Sequence, residues 1–177
     1  TVDRIVLSHG HVDHTGGLRE ILKIRGEVEV IAHPDIWTAK YSQRKDGKIQ
    51  YRGIPFSREE LESLGARFNL TKKPVYITEN ILTTAEITMI VDYEQIEKNL
   101  FVKQGDERMP GPLADDLALV INADFGLVVI LGCAHRGMIN TLRHAQDLTN
   151  NKLIYAVVGG THLFPATNER IDRTIAD

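Results

Sequence analysis

Short apolar runs alternate with segments of helical periodicity along the whole chain. Residues 2–7 form a β-rich apolar run of the length expected for a buried strand. A Gly-Gly pair at 16–17 is followed by apolar residues at helical spacing, which predicts a loop that opens into an amphipathic helix. We therefore predict a strand, a loop and a helix over the first part of the chain, with the loop at the carboxyl end of the strand.

The alternation continues to residue 177, without internal repeats or low-complexity tracts. The pattern predicts further strands at residues 28–32, 66–70, 75–77, 86–91, 117–122, 127–131 and 153–158. It predicts helices at residues 35–41, from Ser57 to about Gly65 behind a Ser-x-x-Glu capping box, and at 138–148 and 168–175. This order of elements predicts the α/β class.

Two polar segments interrupt the pattern, at residues 44–56 and 92–114. Both contain glycine and proline, which are typical of loops. The first segment is the best candidate for a substrate-facing loop. The second is either a lid or a surface excursion without function.

Four side chains of metal-ligand type, His9, His11, Asp13 and His14, fall within six residues in the loop after the first strand. Imidazole and carboxylate are the usual ligands of catalytic zinc and of iron or manganese. A histidine pair at i and i+2 can converge on one ion when a loop carries it, and Asp13 and His14 then point toward a second ion. The alternative, a chance cluster of solvated histidines, is the weaker interpretation of so dense a run.

The run His9-x-His11-x-Asp13-His14, followed by Gly-Gly-Leu, resembles the signature of the metallo-β-lactamase superfamily. The later segments Gly-Cys-Ala-His-Arg-Gly at 132–137 and Gly-Gly-Thr-His-Leu at 159–163 are similar to one branch of it, the dihydropterin-type (ribofuranosyl)aminobenzene 5′-phosphate synthases. The resemblance implies an α/β fold, the αββα sandwich of this superfamily, with the site at one edge and a single domain over residues 1–177.

The chain begins at Thr1, only a few residues before the metal loop. The resemblance implies several strands ahead of that loop, so we expect a fragment that lacks its N-terminal strands. Such a fragment exposes strand edges and apolar faces, which normally require cover. We expect a domain swap or a partner chain to supply that cover.

The resemblance also implies metal ligands in the two later motifs. It makes His162 the last ligand, and the glycines before His162 let the backbone approach an ion closely. It places Cys133 where the superfamily usually has a bridging aspartate, and a thiolate binds zinc well. The alternative for Cys133 is a small buried apolar residue, which is what a free cysteine usually is.

A further histidine ligand, which the superfamily has well upstream of Cys133, is missing here. His135 replaces it, or Asp115 or Asp116 does, or the first metal site is incomplete; we favour His135, since imidazole suits the same metals. Two other histidines lie outside the motifs. We expect His33 to be a structural residue beside the site and His144 to face solvent.

These residues predict a metal-dependent hydrolase or transferase that holds two divalent ions, with zinc favoured over manganese, iron or magnesium. A metal-activated water attacks a phosphorus or carbonyl centre, and Asp13 holds that water and accepts its proton. Arg52 and Arg136 are candidates to bind a phosphate or carboxylate group of the substrate. The resemblance implies a phosphorylated or diphosphate-bearing small molecule, related to pterins.

Two alternatives from other functional classes remain open. The missing upstream histidine is compatible with a non-catalytic binding or regulatory protein that has a degraded metal site. The same fold also carries di-iron redox centres, which is the second alternative.

Composition and charge limit the classes of partner. With 42% hydrophobic and 25% charged residues, the chain can bury one sizeable core. A net charge of −3 gives no basic surface for nucleic acid or membranes, and no apolar stretch is long enough to span a bilayer. A single cysteine excludes an internal disulfide, and with no visible signal peptide we expect a cytoplasmic protein.

Overall fold

The computed structural model describes residues 2–164 and 166–177. Its elements in chain order are β1 (Arg4–Val6), α1 (Val12–Thr15), α2 (Leu18–Arg25), β2 (Val28–Ala32), a 3₁₀ helix (Pro34–Trp37), β3 (Lys40–Gln43), β4 (Ile49–Tyr51), α3 (Arg58–Ser63), β5 (Ala66–Leu70), β6 (Ile81–Thr83), β7 (Leu100–Gln104), β8 (Glu107–Pro110), β9 (Ala118–Ala123), β10 (Gly126–Leu131), α4 (Met138–Thr149), β11 (Ile154–Gly159) and α5 (Asn168–Ala176). None of the described helices is long and apolar enough to cross a membrane.

The chain divides into two compact units. The first contains Thr1–Lys72 and Glu97–Asp115, and the second contains Lys73–Ile96 and Asp116–Asp177. The single domain expected from the sequence stays a prediction.

A parallel sheet with the order β1-β2-β5 forms the centre of the first unit. Leu18 and Leu22 of α2 bury one helix face against it, together with Val30 of β2 and Leu61 of α3. The Ser57 hydroxyl accepts the backbone N–H of Glu60 at the start of α3, as its capping-box pattern predicts. These layers confirm the strand and the amphipathic helix predicted for the first part of the chain, while the predicted loop between them contains the short helix α1.

The two polar segments form strands, where the sequence predicted loops. Strands β4, β3, β7 and β8 make a second, antiparallel sheet in the first unit. Tyr41 packs edge-on against Tyr51 and stacks on Phe101 across this sheet, and such aromatic pairs stabilise cross-strand contacts. The helix predicted at 35–41 is also wrong, because Pro34 begins a single 3₁₀ turn and the chain then extends into β3.

The second unit is built on a sheet with the order β11-β10-β9-β6. Strands β9 and β10 form the predicted hairpin, and β10 pairs in parallel with β11. The buried strand predicted at 153–158 is present as β11 but is not buried, since Tyr155 and Val158 are 65% and 55% exposed. The strand predicted at 86–91 is absent from the described residues, and the one at 75–77 is reduced to a single bridge between Tyr76 and Leu82.

A buried carboxylate caps the N-terminus of α4 in the second unit. Glu94 is 1% exposed, and its two oxygens accept the N–H groups of Ile139 and Asn140 at 3.0 and 2.8 Å. The first N–H groups of a helix lack partners within the helix and favour a negative charge. Gly137 precedes the helix with φ +101°, and a Cβ there would lie 2.0 Å from a Glu94 oxygen, so glycine is required.

Replacing Leu22 by alanine is expected to lower the free energy of unfolding by about 2–5 kcal/mol, because it leaves a cavity in the core. The control is Ile24→Ala on the same helix, where the side chain is 90% exposed and the expected change is within about 0.5 kcal/mol. Urea unfolding followed by fluorescence of Trp37, the single tryptophan, which packs on this core, measures both. Equal losses in the two variants would contradict the assigned buried face.

Replacing Glu94 by alanine is expected to lower the free energy of unfolding by about 2 kcal/mol or more, since two buried N–H groups lose their acceptors. Glu79→Ala makes the same chemical change at an exposed position and serves as the control. Thermal unfolding followed by circular dichroism compares them. The capping role is wrong if both variants melt like the unchanged protein.

Candidate functional site

The loop between β1 and α1 carries the first group of predicted ligands. His11 is the residue before α1 and has an extended backbone, with φ −79° and ψ 148°. Its carbonyl oxygen accepts the N–H groups of His14 and Thr15 at 3.0 and 3.1 Å and the Thr15 hydroxyl at 2.9 Å. The carbonyl of Arg52 accepts the N–H of Val12 at 2.8 Å, which anchors the helix start. The peptide bond between His11 and Val12 is therefore hydrogen-bonded through both its carbonyl and its N–H group.

Three imidazoles meet in this loop. The Nε2 atom of His9 lies 3.1 Å from Nδ1 of His11, and the ring centroids of His9 and His14 are 4.3 Å apart. His9 is fully buried, and its Nδ1 atom lies 3.1 Å from the Ser8 hydroxyl. Two nitrogens bound to one tetrahedral zinc ion at its usual bond length lie about 3.3 Å apart. The spacing of the His9 and His11 rings fits a shared ion.

The environment of His11 keeps its ring neutral. Burial disfavours the charged imidazolium and, with the nearby Lys40 cation, lowers the pKa of His11 from 6.5 to about 4. At neutral pH the ring therefore offers a lone pair. Metal binding requires the neutral imidazole, so the site does not have to release a proton from His11 first.

Asp13 lies on the first turn of α1 and is open to solvent. Its side chain is 74% exposed, and one carboxylate oxygen lies 3.8 Å from Nε2 of His14. The carboxylate is therefore accessible to a small molecule or to water. Its predicted roles as metal ligand and proton acceptor stay predictions.

The second unit brings together His135 and His162. Strands β10 and β11 are parallel neighbours, so their carboxyl ends reach the same edge of the sheet. The N–H of Gly160 donates to the carbonyl of Gly132 at 3.1 Å. A Cβ on Gly160 would lie 2.6 Å from that carbonyl oxygen, so glycine permits the close approach. The ring centroids of His135 and His162 are consequently 4.3 Å apart.

Two residues at these strand ends adopt a left-handed backbone without being glycine. Ala134 has φ +52° and His162 has φ +46°. This conformation is sparsely populated for non-glycine residues and concentrates at functional sites. The strain adjoins His135 in one segment and lies at His162 itself in the other, which agrees with a functional role for this histidine pair.

The two aspartates considered as replacement ligands each hold a backbone amide. Asp115 accepts the N–H of Gly10 at 2.7 Å, and Asp116 accepts the N–H of Arg136 at 2.9 Å. His135, in contrast, presents its ring beside His162. That His135 replaces the missing ligand stays a prediction, and so does the alternative of an incomplete first site.

Three other predicted site residues lie near these groups within their own units. Cys133 is half-buried in the segment after β10. Arg52 follows β4, and its Nε donates to the Ser42 hydroxyl at 2.9 Å, which uses one of its five N–H donors. Arg136 directly follows His135. Metal binding by Cys133 and substrate binding by the arginines stay predictions.

The two histidines outside the motifs have structural contacts. His33 is buried, and its Nδ1 accepts the N–H of Asp35 at the start of the 3₁₀ helix, which confirms a structural role. His144 does not simply face solvent, because it is half-buried and its Nε2 atom lies 3.0 Å from the carbonyl oxygen of Thr84. That expectation was wrong.

Sequence reasoning missed two buried charged residues that support the histidine loops. Lys40 is 4% exposed and lies 2.9 Å from Asp115, which holds the loop of His9 and His11. Glu94 caps the helix that follows His135. Both lie in segments of mixed polarity, where no periodic pattern distinguishes a buried charge from a solvated one.

Comparisons with known proteins agree with this architecture. The chain is 33% identical over 182 residues to a 7,8-dihydropterin-6-methyl-4-(β-D-ribofuranosyl)-aminobenzene-5′-phosphate synthase of Methanocaldococcus jannaschii, covering 99% of this chain and 61% of that protein. It is 30% identical over 176 residues to an uncharacterized protein of the same organism, covering 98% of this chain and 62% of that protein. The chain thus spans about three fifths of the length of these relatives.

A crystal structure of a metal-dependent hydrolase of the β-lactamase superfamily superposes with a TM-score of 0.79 at 27% identity, over 97% of this chain and 61% of that one. The expected metallo-β-lactamase fold is thereby confirmed. The sequence of residues 1–156 matches the family described as the metallo-β-lactamase superfamily. This range includes the loop of His9, His11 and His14. Since the match covers most of the sequence and the backbone agrees with it, the chain belongs to the metallo-β-lactamase superfamily.

Proposed function

We propose that this chain is a metal-dependent hydrolase or transferase that acts on a phosphorylated small molecule related to pterins. One observation carries the proposal: the ring nitrogens of His9 and His11 lie 3.1 Å apart in a buried loop at a strand end. Buried imidazoles at this spacing are what a catalytic zinc site needs. The superfamily match and the metal-dependent hydrolase with a similar fold support it.

The proposal assigns two divalent ions to the chain, zinc first, with manganese, iron and magnesium as alternatives. Its ligands in the first unit are His9, His11, Asp13 and His14. Its ligands in the second unit are Cys133, His135 and His162. Nitrogen, thiolate and carboxylate donors together suit zinc better than magnesium, which prefers oxygen ligands.

A divalent metal supplies Lewis acidity and an activated water when it is bound. The Asp13 carboxylate, which is exposed to solvent beside His14, would be the group that accepts a proton there. The buried position of His9 and His11 excludes bulk water from their side of the loop. Arg52 in the first unit and Arg136 in the second are each candidates to bind a phosphate or carboxylate group, since a guanidinium matches the geometry of such oxygens.

The substrate class follows from the relative's chemistry and from the charge of the chain. The relative from M. jannaschii carries a pterin and a phosphate in its name, and a phosphorylated pterin-like molecule is the class we propose here. A net charge of −3 gives no reason to propose nucleic acid or a membrane as partner. We further propose a cytoplasmic location and a partner chain over exposed strand edges such as β11.

Replacing His11 by alanine is expected to lower the bound zinc measured by elemental analysis, because a buried nitrogen donor is lost. The same loss is expected for His162→Ala in the second unit. His144→Gln removes a histidine outside both groups and should leave the metal content unchanged. An unchanged protein without stoichiometric metal after dialysis against zinc would contradict the proposal.

Replacing Asp13 by asparagine is expected to lower kcat on bis(p-nitrophenyl) phosphate by about 100-fold or more in excess zinc, because the proton acceptor is lost. Asp3→Asn makes the same change at an exposed carboxylate before β1 and serves as the control. Hydrolysis that continues after removal of the metal by a chelator would count against this mechanism.

A further inference from the structure

We propose that Asp115, paired with Lys40, is a positioning residue that fixes the backbone of the metal loop between His9 and His11. The inference rests on the proposed function, since it assumes that these two histidines bind metal. It assigns to Asp115 a role behind the loop instead of the role of a metal ligand.

The contact with Asp115 falls on the residue between the two histidines. The N–H of Gly10 donates to the Asp115 carboxylate at 2.7 Å, across 105 positions of sequence. The orientation of the peptide bonds at Gly10 determines where the side chains of its two neighbours point. A buried carboxylate on this amide therefore holds the peptide bond between His9 and Gly10 and restrains the backbone from which both imidazoles project.

The 3₁₀ turn of residues 34–37 packs against the opposite side of Gly10. A Cβ on Gly10 would lie 2.2 Å from the carbonyl oxygen of Ile36, so no other residue fits without a shift of the backbone. The loop is thus held between the turn on one side and the carboxylate of Asp115 on the other. Gly10 has little room to move, and neither do the imidazoles attached on either side of it.

Lys40 connects the two sides of this clamp. Its ammonium group lies 2.9 Å from the Asp115 oxygen that accepts the Gly10 N–H. It also lies within hydrogen-bond distance of three carbonyl oxygens in and after the turn, those of Asp35 at 3.0 Å, Thr38 at 3.3 Å and Ile36 at 3.4 Å. The same side chain therefore binds the turn and the carboxylate on which the loop rests.

The burial of both charges argues for a positioning role. Asp115 is 1% exposed and Lys40 is 4% exposed. Desolvation largely cancels the attraction within a buried ion pair, so such a pair is weak evidence for stability. Such a pair can instead be important for metal binding when it fixes the backbone that carries the ligands. Loss of the groups that support metal ligands typically weakens metal affinity by about 10-fold to 100-fold.

The same contacts argue against Asp115 as a metal ligand. Its Oδ2 atom already accepts from a backbone N–H and from an ammonium group. The positive charge of Lys40 at 2.9 Å repels a cation that approaches this oxygen. Asp115 therefore acts through Gly10 on the imidazoles.

Two double variants isolate the hydrogen bond to Gly10. Both carry Lys40→Met, one with Asp115→Ala and the other with Asp115→Asn, so neither leaves an unpaired buried charge. The asparagine retains an oxygen acceptor for the Gly10 N–H, and the alanine does not. Circular dichroism confirms that each variant is folded.

Zinc affinity, measured by competition with a fluorescent chelator, is the first readout. We expect the alanine variant to bind zinc about 10-fold to 100-fold more weakly than the asparagine variant, which retains an acceptor for the Gly10 N–H. Exchange of the Gly10 amide hydrogen in the metal-free protein, followed by NMR, is the second readout. It should accelerate in the alanine variant and stay slow in the asparagine variant.

The proposal is overturned if the two folded variants have the same zinc affinity and the same rate of Gly10 amide exchange. This holds whether or not both variants differ from the unchanged protein. If the unchanged protein binds no zinc, the proposed function fails. The exchange of the Gly10 amide still decides in that case whether Asp115 holds the loop.

Discussion

Parallel strand pairing is the constraint on which both histidine groups depend. Neighbouring parallel strands end at the same edge of a sheet, so the segments that follow them lie side by side. In the first unit the loop after β1 lies against the 3₁₀ turn after β2, and the contact between Gly10 and Ile36 is the result. In the second unit the segments after β10 and β11 adjoin, which pairs His135 with His162.

Close approach between these segments requires that some residues have no side chain. Gly10 and Gly160 face carbonyl oxygens of a neighbouring segment at distances that a Cβ could not occupy. Gly10 lies between the predicted ligands His9 and His11, and Gly160 lies two residues before the predicted ligand His162. Ligand geometry in this chain therefore depends on backbone packing as much as on the imidazoles themselves.

The sequence predicts the parts of the fold that have a strong pattern. The strand before His9, the helix behind Ser57 and the hairpin of β9 and β10 have apolar runs, a capping residue or a glycine turn, and all are present. The motif of His9, His11 and His14 is also readable, because dense ligand spacing is rare by chance. Its rings do come together in the structure.

The sequence cannot predict elements whose pattern is weak or misleading. The three residues of β4 are all exposed, so no apolar alternation reveals a strand that is held by backbone pairing with β3. Strand β11 is apolar and lies at the edge of its sheet, and yet several of its side chains are exposed. The burial of Lys40 depends on carbonyl groups from a turn and on a carboxylate distant in sequence, which no local pattern encodes.

The left-handed backbone at Ala134 and His162 limits how far substitutions can raise the stability of this protein. Glycine adopts that conformation without penalty, so a glycine at 134 relieves strain and leaves every imidazole in place. A glycine at position 162 would relieve the same backbone strain, but it would remove the imidazole ring of His162. Under the proposed function, stability and metal binding therefore make opposite demands on position 162, as is common where proteins trade stability for activity.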